Sequence, residues 1–441
     1  MMEVAGKRVM VVGLGVTGRS LAHFLHKRGA TLVMIDRRPD LDAGDLPEGE
    51  IHTGAENLDW LAEVDFVVAS PGVARSSLLL QAARARGKPV LGEIELASRF
   101  LRSPLVAVTG TNGKSTVTTL IGEILKAAGL RAFIGGNLGT PLIEAVEGDH
   151  QVIVAEISSF QLEWIGAFRP FIAIHLNLSE DHFDRYADLD DYGRTKARVF
   201  ENQTADDWAI LNRDDPKVWK LSNQVRSRVV GFGSAATAAR PAAWIEGGLI
   251  RVRIDERDET LRFSAPGLPG QHNAANATAA AAAAMILRIP ARLIEASLAN
   301  FKSLAHRLEF VRELDGVKFI DDSKGTNVGA VVEAIAATRR PIVLIAGGLD
   351  KGGDYAPLFE PIGKKVRQLI LYGAARDRIR AALTGAAPIE LVATLSEAVR
   401  RAASLANRGD TVLLSPACSS FDQFKDYAER GRIYKELVWS L

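Results

Sequence analysis

The stretch from Pro104 to Gly129 constrains the fold more than any other part of the chain. Leu105 to Val108 are apolar and β-prone and read as a buried strand. Gly110-Thr111-Asn112-Gly113-Lys114-Ser115-Thr116 follows as a tight glycine turn. Val117, Leu120, Ile121, Ile124, Leu125 and Ala128 then recur at helical spacing, and Gly129 is a natural stop. Gly110 and Gly113 let the backbone turn its N–H groups toward the helix N-terminus, where an anion is stabilised. Lys114 adds a mobile positive charge, and Ser115 or Thr116 offers a hydroxyl to Mg²⁺. The chemistry implied is binding of a nucleoside triphosphate with its metal. One position departs from the pattern G-x-x-x-x-G-K-[ST], because Val108 stands where its first glycine belongs. Short Gly-Lys-Ser turns also arise by chance, but the flanking strand and amphipathic helix argue against that here.

The 441 residues suggest two to four domains. With 47% apolar and 24% charged residues, the composition is that of a globular protein with ample core. The net charge of +1 gives no reason to expect nucleic acid or an anionic membrane as a partner. Cys418 is the single cysteine, so an intrachain disulfide is excluded and a reducing compartment fits. A strand from Lys7 to Val12 leaves no room for a signal peptide. The alanine-rich run Ala274 to Leu287 contains Asn276 and Thr278 and is too short to span a bilayer. A cytoplasmic monomer is expected.

Taken in order, Arg8 to Val12 lead into Gly13-Leu-Gly15-Val16-Thr17-Gly18, a strand, G-x-G-x-x-G and a helix. A second strand, Ala30 to Ile35, ends at Asp36, where dinucleotide folds place a ribose-binding acid. Arg37 and Arg38 would suit phosphate as well as ribose. Phe66 to Ala69 end at Ser70-Pro-Gly72. This segment alone says Rossmann-like and nucleotide-binding, with NAD as the usual guess and NADP left open. Leu101 to Pro104 look like a linker, so residues 1–100 form a first domain.

The second domain, 101–303, opens with the phosphate loop. Residues 135–141, around Asn137, read as an irregular loop. Val152 to Glu156 form a strand ending in an acid placed to hold Mg²⁺, and Ser158 follows it. The strand Phe171 to Asn177 ends in a loop with Glu180, Asp181, His182 and Asp184, a metal and substrate site or a solvated turn. Tyr192 to Phe200 read as a helix carrying Lys196, by default a surface charge. From about 216 to 266, short alternating segments suggest a small antiparallel appendage. Asn273 and Asn276 share the first turn of the alanine-rich helix and can face one ligand or act as caps. The third domain, 304–441, repeats the strand–loop pattern. It carries polar loops at Asp321 to Asn327, Gly347 to Gly353 and Ser415 to Tyr427. Buried, structural status is expected for Cys418. The fold class is α/β in three domains: Rossmann-like, central phosphate-loop type with the appendage, and C-terminal Rossmann-like.

Together these loops resemble the Mur ligases of peptidoglycan synthesis along nearly the whole chain. Gly110-Thr-Asn-Gly-Lys-Ser-Thr116 is similar to the phosphate loop that Mur ligases share with folylpolyglutamate synthases, absent first glycine included. Three stretches resemble the glutamate-adding branch: Glu156-Ile-Ser-Ser-Phe-Gln-Leu-Glu163, Asp321-Asp-Ser-Lys-Gly-Thr-Asn327 and Ser415-Pro-Ala-Cys-Ser-Ser-Phe-Asp-Gln-Phe-Lys425.

The resemblance implies a ligase that uses ATP to activate the carboxylate of UDP-N-acetylmuramoyl-L-alanine as an acyl phosphate, which the amine of D-glutamate attacks. It implies UDP, not NAD, in the first domain, at Gly15, Val16, Thr17, Asp36, Arg38, Ser70 and Gly72. Asn137, Ser158 and His182 would contact the muramoyl substrate. ATP would be held by Gly110, Thr111, Asn112, Gly113, Lys114, Ser115, Thr116, Asn273, Asn276, Arg307, Asp322 and Lys324. Two Mg²⁺ ions would be held by Ser115, Glu156, His182 and Lys196, the last as a carbamate formed with CO₂. Thr326, Lys351, Ser420, Phe421 and Tyr427 would form the D-glutamate pocket. The implied catalytic set is Lys114, Glu156, His182 and Lys196. A NAD(P) oxidoreductase would leave the ATP loop unexplained. A folylpolyglutamate synthase needs no UDP-like Rossmann domain, and a non-catalytic scaffold would be expected to lose some of Lys114, Glu156 and His182.

Overall fold

The computed structural model describes residues 2–441. The first sheet comprises β1 (Arg8–Val12), β2 (Thr31–Asp36), β3 (Glu50–Thr53), β4 (Phe66–Ala69) and β5 (Val90–Gly92), in the order β3-β2-β1-β4-β5. All of its pairings are parallel. Val9 to Val12 and Leu32 to Ile35 are buried without alternation, as strands covered on both faces must be. Strand order reverses at β1, so the Gly13–Gly18 turn stands at the switch point where such sheets bind ligands.

The central sheet comprises β6 (Leu105–Thr109), β7 (Ala132–Gly136), β8 (Val152–Glu156), β9 (Ile172–His175), β10 (Trp208–Asn212), β11 (Arg228–Gly233), β12 (Ala242–Glu246), β13 (Leu249–Ile254) and β14 (Arg257–Arg262). Its order is β14-β13-β12-β11-β10-β9-β6-β8-β7. β6 lies between β8 and β9, which puts the phosphate loop at a second switch point. The appendage expected over 216–266 continues this sheet. β11 and β12 add in parallel, and only β12, β13 and β14 pair antiparallel. Gly135 and Gly136 end β7, so the irregular loop begins only at Asn137. The helix carrying Lys196 runs Leu189–Ala197 and tightens into a 3₁₀ turn over Arg198–Phe200.

The third sheet comprises β15 (Glu309–Leu314), β16 (Val317–Asp321), β17 (Ile342–Gly347), β18 (Val366–Tyr372), β19 (Ile389–Leu391) and β20 (Thr411–Leu414). Its order is β15-β16-β20-β17-β18-β19, parallel except for the edge strand β15. Val343 and Ile345 pack into one core, and Leu344 and Ala346 into another on the opposite face. That is period-two alternation with both faces covered.

The chain divides into two compact units. One runs to Asn177 and adds Tyr192–Phe263 and Ala275–Leu298; the other holds Leu178–Asp191, Ser264–Ala274 and Ala299–Leu441. Within the first unit, the helix Glu93–Ser98 ties the first sheet to the central domain. Glu95, fully buried, accepts the backbone N–H groups of Gly166, Ala167 and Phe168 on one carboxylate oxygen, at 2.8, 2.9 and 2.9 Å. Arg99 takes its other oxygen at 2.8 Å. Three backbone donors and a guanidinium compensate the burial of that charge. Among the described residues, no helix is long and apolar enough to cross a membrane.

Candidate active site

The phosphate loop leaves β6 through Gly110 (φ 143°) and enters the helix Lys114–Ala127 through Gly113 (φ 86°), which caps it. A Cβ on Gly113 would collide with the side-chain oxygen of Asn276, so no other residue type fits there without movement. Asn276 reaches this position because the helix Gln271–Ile286 buries Ala277 and Ala279 to Ala284 completely. Asn273 is on the same helix and donates to the Pro269 carbonyl at 2.7 Å. Asn177 holds the loop from below. Its carbonyl accepts the Thr111 N–H at 2.9 Å and its side-chain oxygen the Asn112 N–H at 2.8 Å. Its amide donates back to the Asn112 carbonyl at 3.1 Å.

Around this loop the structure gathers several of the residues singled out from sequence. Lys114 Nζ donates to the carbonyls of Gly110 and Thr111 at 2.9 and 2.8 Å. Lys196 is 1% exposed, far from the default surface charge, and its Nζ donates to the same Gly110 carbonyl at 2.9 Å. The Lys196 ammonium also lies 4.5 Å from the centre of the Tyr192 ring. Ser115 Oγ donates to Glu156 Oε2 at 2.6 Å, and Asn137 Nδ2 donates to Glu156 Oε1 at 2.7 Å. A carboxylate, a hydroxyl and an amide at the end of β8 form a hard oxygen donor set of the kind Mg²⁺ takes. Thr116 is buried in the first helical turn. Ser158 caps the short helix Ser159–Leu162 in a capping box with Gln161.

His175 was missed by the sequence reading. It ends β9 beside Thr109, is 1% exposed, and neither ring nitrogen has a hydrogen-bond partner. Burial pushes its pKa down to about 3, helped by the charges of Lys196 and Lys114, so the ring is neutral. Nothing in the apolar pattern of β9 distinguishes this histidine from an exposed one. Asn177 left a signal, a polar residue at the end of a core strand.

In the first domain, Gly18 packs so closely that a Cβ there would run into the Gly13 carbonyl, which also accepts the Ser70 hydroxyl at 2.6 Å. Gly15 and Val16 are exposed at the start of the helix Val16–Lys27, with Thr17 beside them, and Gly72 is exposed past Ser70. Asp36 accepts the Leu14 N–H at 2.7 Å and pairs with the Arg38 guanidinium at 2.9 Å. Burial would raise its pKa, but the Arg38 guanidinium and the backbone N–H groups of Arg38 and Leu14 hold it at about 2.

In the second unit, Asp181 is the hub. Lys351 Nζ lies 3.1 Å from its Oδ1, and Asn327 Nδ2 donates to Oδ2 at 3.2 Å. His182 adopts a left-handed backbone (φ 59°), with its ring Nε2 3.7 Å from the same carboxylate. Asp322 accepts the Ser415 hydroxyl at 2.7 Å. Burial pushes its carboxyl up to about 7 against that bond, the Arg307 charge and the Leu308 N–H. Lys324 Nζ lies 4.8 Å from the centre of the Tyr427 ring. The Thr326 N–H donates to the Lys324 carbonyl; Ser420 is buried and Phe421 is 68% exposed.

Arg430, which the sequence did not flag, is fully buried. Its guanidinium donates to the Ser323 hydroxyl and carbonyl and to the carbonyls of Cys418 and Ser419, so it clamps the two polar loops together. Cys418 is buried against the Tyr355 hydroxyl at 3.1 Å, and burial pushes its thiol up to about 11, the inert structural state expected. His306, Glu309 and Asp321 also present ligand atoms within 4.8 Å of one another. Lys435 already pairs with Glu309 and the Ser323 N–H with Asp321, so this cluster reads as a brace.

Three segments of the chain match known protein families. Residues 7–92 match the family description "Mur ligase MurD-like, N-terminal domain", residues 108–284 "Mur ligase middle domain" and residues 306–418 "Mur ligase, glutamate ligase domain". A UDP-N-acetylmuramoylalanine--D-glutamate ligase from Geobacter metallireducens is 46% identical over 448 residues, covering 100% of this chain and 99% of the relative. A ligase of the same name from Pelotomaculum thermopropionicum is 45% identical over 446 residues, covering 99% of this chain and 98% of the relative. Among solved structures, a pseudomurein peptide ligase type C from Methanothermus fervidus has a TM-score of 0.64 at 20% identity, covering 99% of this chain and 100% of that one. MurF ligase from Thermotoga maritima, solved in complex with ADP, has 0.62 at 16% identity, with 100% of both chains covered. The structural likenesses show the fold. The full-length identities and the three matched segments show that the chain belongs to the Mur ligase family.

Proposed function

We propose that the chain is an ATP-dependent ligase that joins D-glutamate to UDP-N-acetylmuramoyl-L-alanine in cytoplasmic peptidoglycan precursor synthesis. The observation that carries this reading is the Lys114–Ser115–Glu156–Asn137 cluster on a glycine loop, in a chain 46% identical end to end to a ligase of that name. The substrate carboxylate attacks the γ-phosphorus of ATP and ADP leaves. The D-glutamate amine, having lost its proton, attacks the acyl phosphate carbonyl, phosphate departs, and the amide remains. This chemistry needs alignment and charge neutralisation more than a covalent enzyme group.

In this reading, residues 110–116 bind the ATP phosphates, with Asn273 and Asn276 on the adenine side and Arg307, Asp322 and Lys324 as further nucleotide contacts. Ser115, Glu156, His182 and carbamylated Lys196 would hold two Mg²⁺ ions, which supply charge neutralisation on the phosphates. Gly15, Val16, Thr17, Asp36, Arg38, Ser70 and Gly72 take the UDP portion, and Asn137, Ser158 and His182 the muramoyl portion. Thr326, Lys351, Ser420, Phe421 and Tyr427 hold D-glutamate. The domain division 1–100, 101–303 and 304–441, and a monomer acting on small molecules without nucleic acid or membrane, belong to the same proposal. The three matched segments support the division. The test is phosphate release from ATP with and without UDP-N-acetylmuramoyl-L-alanine and each candidate amino acid. Release should require both other substrates and be greatest with D-glutamate; brisk turnover of ATP alone contradicts the reading.

A further inference from the structure

We propose that a cavity of about 550 Å³ beside Trp164 binds a small polyanion carrying phosphate groups. It lies within the first compact unit, and none of its lining residues belongs to either glycine loop. Arg75, Arg84 and Lys88 line it from the N-terminal layer, and Glu163, Trp164 and Arg198 from the central domain. The two sides meet where the Gly92 N–H donates to the Trp164 carbonyl at 2.9 Å.

The charges in this cavity are unbalanced. Lysine and arginine number 54 in the chain against 53 acids, so a local excess is not a matter of composition. Here four cations share a cavity with one carboxylate. Arg198 is committed: its guanidinium donates to the carbonyls of Leu162, Glu163 and Ile165 and pairs with Glu201. Arg75 and Arg84 have no acid partner. Lys88 Nζ reaches the Ala62 carbonyl at 3.4 Å and also feels the Asp65 carboxylate. The Arg84 guanidinium makes only a ring contact, 6.0 Å from the centre of Trp164. Arg75 makes no side-chain hydrogen bond or ion pair with any described residue. Trp164 is 7% exposed, and its indole N–H has no acceptor. Two free guanidinium forks and an ammonium are donors only, and phosphate oxygens match them in charge and geometry. The volume is that of a small-molecule site and exceeds what one phosphate fills, so the ligand class is a diphosphate or a phosphorylated metabolite. Such a ligand would bridge the seam between the first sheet and the central domain.

The experiment uses the full chain with ADP and UDP both saturating, so that the two glycine loops are filled. Pyrophosphate is then titrated by calorimetry and by tryptophan fluorescence. The expected result is one further saturable site, with a fluorescence change lost in Trp164→Phe. Arg75→Ala with Arg84→Ala should weaken it about tenfold or more. ADP affinity in that double variant should stay at the wild-type value, which shows that the variant is folded. The proposal is overturned if the wild-type chain shows no further site, or if the double substitution leaves pyrophosphate binding unchanged.

Discussion

The hydroxyl of Ser115 donates to one oxygen of Glu156 over 2.6 Å, while Asn137 donates to the other over 2.7 Å. The first helical turn of the phosphate loop, the end of β8 and the loop after β7 are therefore joined through a single carboxylate. Glu156 is 3% exposed, so its charge is held by these donors rather than by water.

Glu156→Gln keeps an acceptor for Asn137 but removes the charge. Ligase turnover should fall about 100-fold or more at fixed Mg²⁺, with part recovered as Mg²⁺ is raised. Steady-state rates over a Mg²⁺ series measure this, and a Mg²⁺ dependence identical to wild type would show that Glu156 is not a metal ligand.

Lys351 now pairs with Asp181 at 3.1 Å, which places a carboxylate on the ammonium proposed for D-glutamate. Lys351→Ala should raise the KM for D-glutamate about 10- to 100-fold, the worth of a charge-assisted hydrogen bond, and leave the KM for ATP nearly unchanged. If the ATP value moves and the D-glutamate value does not, the pocket is misassigned.

Lys196 and Lys114 donate to the same Gly110 carbonyl, so two ammonium groups crowd one acceptor. Reaction of the neutral Lys196 amine with CO₂, with loss of a proton, would turn one of them into a carboxylate-like oxygen ligand. An ordinary lysine has a pKa of about 10.4, and burial favours the neutral amine that CO₂ requires. Lys196→Ala should be nearly inactive, with part of the rate restored by short carboxylic acids at saturating Mg²⁺. Near-normal activity without any additive would rule out an essential carbamate.

Gly113→Ala forces a Cβ onto a left-handed position and against the Asn276 side chain. We expect a loss of about 1–2 kcal/mol from the backbone alone, together with weakened ATP binding. Adding Asn276→Ala should relieve the collision but not the backbone cost. Thermal melts of the two variants check this; equal melting points would mean that Asn276 does not crowd the loop.

Glu93 is buried, and burial pushes its carboxyl up to about 7 although the Ile143 N–H donates to it at 2.7 Å. Its ordinary value is 4.5, so the folded state holds a proton that the unfolded state releases between these values. That contribution to stability is fully present below about pH 4.5 and is lost as pH rises through about 7. Glu93→Gln should therefore flatten the decline in melting temperature between about pH 5 and 8. Parallel pH profiles for variant and wild type would refute it.

Much of the fold was legible because its signals are local. Leu105 to Thr109 form the strand and Lys114–Ala127 the helix that apolar spacing and two glycines required. Val317–Asp321 was also readable as a strand from its apolar run. Local signals failed where elements are defined by partners. The segments over 216–266 read as a small antiparallel appendage; β12, β13 and β14 do pair antiparallel, yet β11 and β12 join it to the central sheet in parallel, because strand pairing depends on which edge is free.

The sequence by itself determined which chemistry is available: a glycine loop with a lysine and hydroxyls, an acid ending a core strand, and polar loops after the later strands. Only the tertiary structure decided environment. It buried Lys196, which helical position alone marks as a surface charge, against Gly110, 86 residues away. It held His175 neutral between orphaned bonds and two lysines, and made Arg430 a buried clamp. Burial, charge neighbours and hydrogen-bond partners arise from residues distant in sequence, and no local period or motif encodes them.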